Sequence, residues 1–230
     1  MTDINDKKLA GCIDHTLLAA TTTSEQIRQL CAEAVKFGFH TVSINPRWLP
    51  LAAEQLQDSE VKVGGVVSLP LGADSTKIKV AQASDVIFAG AEEIDMVADL
   101  AAIIEGNSRY LSSQLRAVLK ICHSANPKVI LKVIIESAAL TREQKIFACR
   151  ISDECGVDFV KTSTGMNPAG GATIEDVKLM KQSAPNCKIK AAGGIKTAKQ
   201  VLEFLDAGAQ RIGTSSGAAI INQFKAGQTN

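Results

Sequence analysis

The sequence predicts a (β/α)8 TIM barrel, a single α/β domain spanning residues 1–230, and three observations carry that prediction. Eight short β-branched runs alternate with longer segments of helical period. The runs are apolar almost throughout, as in parallel strands covered on both faces. Their centres, near Asp14, Ser43, Val66, Asp95, Lys132, Lys161, Lys190 and Gly213, recur every ~23–37 residues, the length of a βαβ unit. Eight such units within 230 residues is the count that closes a barrel. The alternative, an open doubly wound sheet, wants a Gly-rich turn after its first strand, and DHTLLAATTT offers none.

Along the chain, GCIDHTLL is the first strand. Ile27, Leu30, Cys31, Ala34 and Val35 then follow the i, i+3, i+4, i+7, i+8 stripe of a helix. Gly38 stands where that helix should stop. HTVSIN, KVGGVVSLP and EEIDMVADL are the next three strands. Leu111, Leu115, Val118, Leu119 and Cys122 form a second helical stripe before the strand KVILKVIIE. Thr141 and Gln144 have capping-box spacing, and Gly156 closes the helix they open. DFVKTST and CKIKAAGG follow. Thr197 with Gln200 caps a helix striped by Ala198, Val201, Leu202 and Leu205, Gly208 ends it, and QRIGTSS is the last strand. No Gly/Ser/Pro-rich linker divides the chain.

Composition narrows the partners. Hydrophobic residues make up 46%, yet no run reaches the roughly 18 apolar residues that a membrane span needs. The start, MTDINDKKLAG, lacks the apolar core of a signal peptide, so a cytoplasmic protein is expected. With 25 basic and 24 acidic residues, no broad nucleic-acid or membrane surface is expected, and any anion site must be local. Six scattered cysteines without a CxxC pair read as reduced thiols. Three dispersed histidines give no zinc spacing, so no metal and no cofactor is expected.

The informative residues are those that do not belong in a core. Asp14, Asp95, Lys132, Lys161 and Lys190 each interrupt a strand where both sides are dry. A lone lysine there could run its stem through the core and reach solvent at a strand end. Three lysines on consecutive strands, beside two aspartates, instead point to one charge-balanced cluster at the C-terminal mouth, where barrel active sites lie. A lysine attacks a carbonyl only as the free amine. Working near neutrality requires its pKa to fall by about 3 units, or ~4 kcal/mol, from ~10.4. One ammonium at ~4 Å supplies about 4 kcal/mol at an effective dielectric near 20, and burial acts in the same direction. Two neighbouring lysines therefore read as a nucleophile and its activator.

Three adjacent strand ends close in small-residue turns: Ser163 to Gly165, Ala192 to Gly194, and Thr214 to Gly217. Bare amides and a helix N-terminus suit a phosphate there. The residues alone thus describe a barrel doing lysine-imine chemistry on a small phosphorylated aldehyde or ketone.

The strings IDHTLL, EIDMV, KVIIE, DFVKTSTG and KAAGGI resemble, in order and over about residues 10–220, the deoxyribose-phosphate aldolase family. That resemblance implies a class I aldolase that reversibly cleaves 2-deoxy-D-ribose 5-phosphate to D-glyceraldehyde 3-phosphate and acetaldehyde. It implies Lys161 as the Schiff-base lysine, and Lys190 as the second lysine that depresses its pKa and relays protons. Asp95 becomes the proton donor and acceptor, acting through a water, with Asp14 and Lys132 as supporting polar groups. Gly165, Gly193, Gly194, Ser215 and Ser216 would hold the phosphate. It also implies a homodimer.

Three positions depart from the pattern. Met166 stands where some members place a phosphate-contacting lysine, leaving amides and hydroxyls for that task. Ser43 replaces a cysteine of many members, at a position expected near the mouth. The tail NQFKAGQTN lacks the C-terminal tyrosine some members carry. The competing readings are another imine-forming phosphosugar aldolase or transaldolase-like barrel, a phosphosugar isomerase, and a non-catalytic phosphosugar-binding barrel. An isomerase would need a carboxylate base without a buried lysine pair, and a mere sensor has no use for both lysines.

Overall fold

In the computed structural model, which describes residues 4–228, eight parallel strands close into one barrel. They are β1 (Ile13–Leu17), β2 (Thr41–Ile44), β3 (Lys62–Val67), β4 (Glu93–Val97), β5 (Ile130–Ile134), β6 (Phe159–Lys161), β7 (Lys188–Ala192) and β8 (Arg211–Thr214). Each pairs with the next in sequence, and β8 returns to β1 through Asp14 opposite Gly213. Every strand lies inside the run predicted for it. The predicted (β/α)8 architecture is the one observed.

Ten helices accompany the strands among the described residues: α1 (Asp6–Ala10), α2 (Ser24–Phe37), α3 (Leu49–Leu56), α4 (Thr76–Phe88), α5 (Leu100–Ile104), α6 (Ser108–Ser124), α7 (Arg142–Cys155), α8 (Ile174–Ser183), α9 (Ala198–Asp206) and α10 (Gly217–Gln228). The capping boxes at Thr141–Gln144 and Thr197–Gln200 form as expected, and Thr23–Gln26 makes a third that opens α2. Gly38 and Gly156 end α2 and α7 in the left-handed conformation, which costs glycine little. The N-terminal α1 was not foreseen. Its cap is the Asn5 side chain, which accepts from the Lys8 amide, and it buries Leu9 and Ala10. No helix among the described residues is long and apolar enough to cross a membrane. All six cysteines are free, and five are buried.

Strand alternation divides the interior into two environments. On β4, Ile94 and Met96 join the apolar layer beneath the helices, whereas Glu93 and Asp95 point to the axis and pair with Lys132 of β5. On β5, Leu131 and Val133 take the helix side and Lys132 the axis. The axis, which in most such barrels is packed with branched apolar side chains, is here occupied by ions. Buried charges persist only when paired, so this axis has to form a closed network.

Candidate active site

The five ionic residues singled out from the sequence meet at that axis. Asp95 is the hub. Its Oδ2 accepts from Lys161 Nζ at 2.6 Å and from Lys190 Nζ at 2.7 Å, and its Oδ1 accepts from Lys132 Nζ at 3.0 Å. Lys190 also pairs with Asp14, whose Oδ2 lies 3.6 Å from Lys132 Nζ. Register explains the convergence: Asp95 faces Lys132 across β4–β5, and Lys161 faces Lys190 across β6–β7. Gly213 leaves room for the Lys190 stem, since a Cβ there would stand 3.1 Å from Lys190 Cε.

Four further residues in contact with this network were missed from sequence. Arg211 Nη1 donates to Asp14 Oδ1 at 2.8 Å and to Glu93 Oε2 at 3.0 Å. Glu93 Oε2 also lies 2.6 Å from Lys132 Nζ, and Thr41 donates to it at 2.9 Å. Below Glu93, the half-exposed His40 places Nε2 at 3.3 Å from Oε1. Glu93 was legible in principle: it lies two residues before Asp95 and therefore on the same strand face. Arg211 opens the last strand, where a charge ordinarily meets solvent.

The five ionic residues face the barrel interior, as expected, but they do not all line the cavity at its C-terminal mouth. Above the cluster opens a cavity of about 360 Å³, walled by the C-terminal ends of β1, β6, β7 and β8. Of the five, Lys161 alone lines it; Asp14, Asp95, Lys132 and Lys190 lie beneath its floor. Lys132 and Asp14 are instead engaged by Glu93 and Arg211 inside the barrel.

The electrostatics follow this layering. Burial pushes the Lys161 ammonium down to about 8; Asp95 works against that drop, and Lys190 and Lys132 add to it. The activator reading from sequence is thereby reordered: desolvation leads, and the Lys190 charge is the smaller contributor, partly offset by the carboxylate between them. Burial penalises the Asp95 carboxylate too, but Lys132, Lys161 and Lys190 outweigh it and hold its pKa well below the usual range. Lys132, desolvated but contacted by Asp95, Glu93 and Asp14, is shifted upward. Lys161 is thus the group in this cluster readiest to give up a proton at neutral pH.

The cavity walls include Gly165, Gly193, Gly194 and Ser215 of the predicted phosphate set. Ser216 does not line it, and its amide donates to Thr214 Oγ1 at 2.9 Å. Gly193 has φ +91, and a Cβ there would come within 2.9 Å of Gly171 Cα, so the turn closes only with glycine. Two polar groups were not foreseen, one lining this wall and one bonded to a residue that does. Lys196, following the Gly193–Gly194 turn, lines the cavity and supplies the cation that Met166 lacks. Buried Glu136 accepts from Thr164 N at 3.0 Å and Thr164 Oγ1 at 2.6 Å, fixing the loop after β6. Ser43 is buried within β2 and does not line the cavity. Among the described residues, no group of three or more His, Cys, Asp or Glu could hold a metal ion.

The family model described as DeoC/LacD family aldolase matches residues 8–223. The chain belongs to that family. It is 49% identical over 220 residues to the deoxyribose-phosphate aldolase of Dictyoglomus turgidum, covering 95% of this chain and 98% of that one. To the deoxyribose-phosphate aldolase of Carboxydothermus hydrogenoformans it is 44% identical over 226 residues, covering 98% and 99%. Among solved structures, the deoxyribose phosphate aldolase of Aeropyrum pernix, described as having a unique tetrameric structure, superposes with a TM-score of 0.89 at 28% identity, covering 96% of this chain and 93% of that one. This DeoC/LacD family aldolase is a carbon–carbon lyase.

Proposed function

We propose that this aldolase reversibly cleaves 2-deoxy-D-ribose 5-phosphate to D-glyceraldehyde 3-phosphate and acetaldehyde through a Schiff base on Lys161. One observation carries the reading: the cavity floor presents Lys161, lowered to about 8, hydrogen-bonded to a carboxylate that Lys190 shares.

In the cleavage direction the Lys161 amine adds to the C1 aldehyde of the open-chain sugar. Loss of water gives the protonated imine. Asp95, with Lys190 and a water, takes the proton of the C3 hydroxyl. The C2–C3 bond then breaks, its electron pair moving into the iminium to give an enamine, and C3 leaves as the aldehyde of glyceraldehyde 3-phosphate. Protonation at C2 and hydrolysis release acetaldehyde and return the amine. The iminium is the electron sink, so the chemistry needs neither metal nor cofactor. Asp14 and Lys132 hold Lys190 and Asp95 in place from below.

The phosphate would sit on Gly165, Gly193, Gly194 and Ser215 of the cavity wall, with Ser216 beside them near the N-terminus of α10 and Lys196 as its counter-charge. We take residues 1–230 as one aldolase domain that works in the cytoplasm as a homodimer on a small phosphorylated sugar.

The test is turnover. Purified protein given 2-deoxyribose 5-phosphate should release glyceraldehyde 3-phosphate, detected by coupled reduction, and Lys161→Ala should abolish release. Cleavage of a different phosphosugar with none of this one would contradict the assignment.

A further inference from the structure

We infer that Glu93 and Arg211, on the floor of the barrel, are positioning residues that set the charge of Lys161 through the net charge of the buried cluster. The inference rests on counting. Lys132, Lys161, Lys190 and Arg211 meet Asp14, Glu93 and Asp95 in one network, linked member to member by contacts of 3.6 Å or less. Four cations face three carboxylates in an environment where every member is nearly or fully buried. The cluster is neutral only when one cation gives up its proton. Lys132 bridges three carboxylates, Lys190 two, and Arg211 two, and a guanidinium does not deprotonate in a protein. Lys161 pairs with Asp95 alone among the described residues and borders the cavity. The surplus proton is therefore the one on Lys161, and the residues that fix the count include two that never approach the cavity.

Other polar and charged groups also face the cluster. His40 and Thr41 adjoin Glu93, Lys62 and Glu92 pair with each other at the strand starts beside it, and Cys12 lies near Arg211 and Asp14. On the cavity side, Lys196 lines the wall and Glu136 is engaged by Thr164.

The signs are opposite for the two residues. Arg211→Met removes a positive charge, so the cluster balances with Lys161 protonated, and the Lys161 titration should move to higher pH. Glu93→Gln removes a negative charge of nearly the same shape, and the titration should move to lower pH. A unit charge acting over ~10 Å at an effective dielectric near 20 gives shifts on the order of one pH unit. The double variant Glu93→Gln/Arg211→Met restores the count and should return the midpoint to that of the parent. Arg211→Lys keeps the charge but loses the guanidinium contacts to Asp14, Thr41 and Glu93, so it should lower the melting temperature without moving the midpoint.

Competitive acylation of the intact protein with acetic anhydride, read at Lys161 by mass spectrometry as a function of pH, measures that midpoint without any substrate. It therefore separates this inference, which concerns charge, from the assignment of Lys161 as imine-former, which borohydride trapping tests. Opposite shifts that cancel in the double variant support the inference. Unmoved midpoints, or shifts of one sign, overturn it. Should Arg211→Met not fold, Glu93→Gln alone decides: a shift to lower pH supports the inference, and any other result overturns it.

Discussion

Lys161 and Lys190 donate to one oxygen, Oδ2 of Asp95, at 2.6 and 2.7 Å. A single carboxylate oxygen thereby opposes the deprotonation of the nucleophile and ties it to its neighbour. Replacing the two partners of Lys161 should act in opposite directions. Lys190→Met removes a lowering influence and should raise the Lys161 midpoint modestly, because burial, the larger cause, remains. Asp95→Asn removes the raising influence and should lower the midpoint, so the amine is free at lower pH. Turnover by Asp95→Asn should nevertheless fall by roughly 10²–10⁴-fold, the usual worth of a positioned acid–base. The pH dependence of trapped imine and of kcat in both variants checks this; a rise in midpoint for Asp95→Asn would contradict it.

The phosphate wall gives a second expectation. Lys196 lines the cavity, whereas Met166, also on the wall, carries no charge. Lys196→Gln should raise KM for the phosphorylated sugar about fivefold, roughly 1 kcal/mol for a solvent-exposed charge contact, and should leave unphosphorylated 2-deoxyribose unaffected. Met166→Lys should tighten binding of the 5-phosphate by about 1 kcal/mol. Calorimetric titration of both variants measures the two changes. Equal losses on both sugars for Lys196→Gln would mean that its side chain does not meet the phosphate.

The strands were legible because parallel strands buried on both faces read as unbroken apolar runs, and their polar interruptions marked Asp14, Asp95, Lys132, Lys161 and Lys190 at once. What stayed hidden was the pairing. Sequence places a lysine on a strand but not the partners its ammonium finds, so the contacts of Glu93 with Lys132 and of Arg211 with Asp14 could not be read. Glu93 and Arg211 both sit at strand starts, beside Glu92 and Gln210, where a charge ordinarily meets solvent. Glu136, at the end of KVIIE, was invisible as a loop anchor because its work depends on a left-handed backbone at φ 53 and on Thr164 of the next unit. Met166 drew attention away from Lys196, thirty positions on, since proximity of their two loops belongs to the closed barrel and not to the chain.

Lys79 was unremarked within the helical pattern, and it makes a prediction about stability. It is fully buried in α4 and donates to Val97 O and Gln114 Oε1, both at 2.8 Å. Burial lowers its pKa to about 8, with Asp99 and Asp74 pulling the other way. The folded state then holds fewer protons than the unfolded chain between about pH 8 and ~10.4, so stability rises with pH across that window. Lys79→Met should remove its share of the rise, up to roughly 3 kcal/mol. Guanidinium unfolding at pH 7 and pH 10 provides the measurement. The same difference between the two pH values in parent and variant would show that Lys79 keeps an ordinary pKa.

The central claim is that Lys161, and not Lys190, forms the imine. Incubation with acetaldehyde and borohydride at pH 7.5, followed by peptide mass spectrometry, tests it most directly. A single reduced two-carbon adduct on the peptide containing Lys161, absent from Lys161→Ala, is the expected result; an adduct on Lys190, or none on either lysine, would contradict the account.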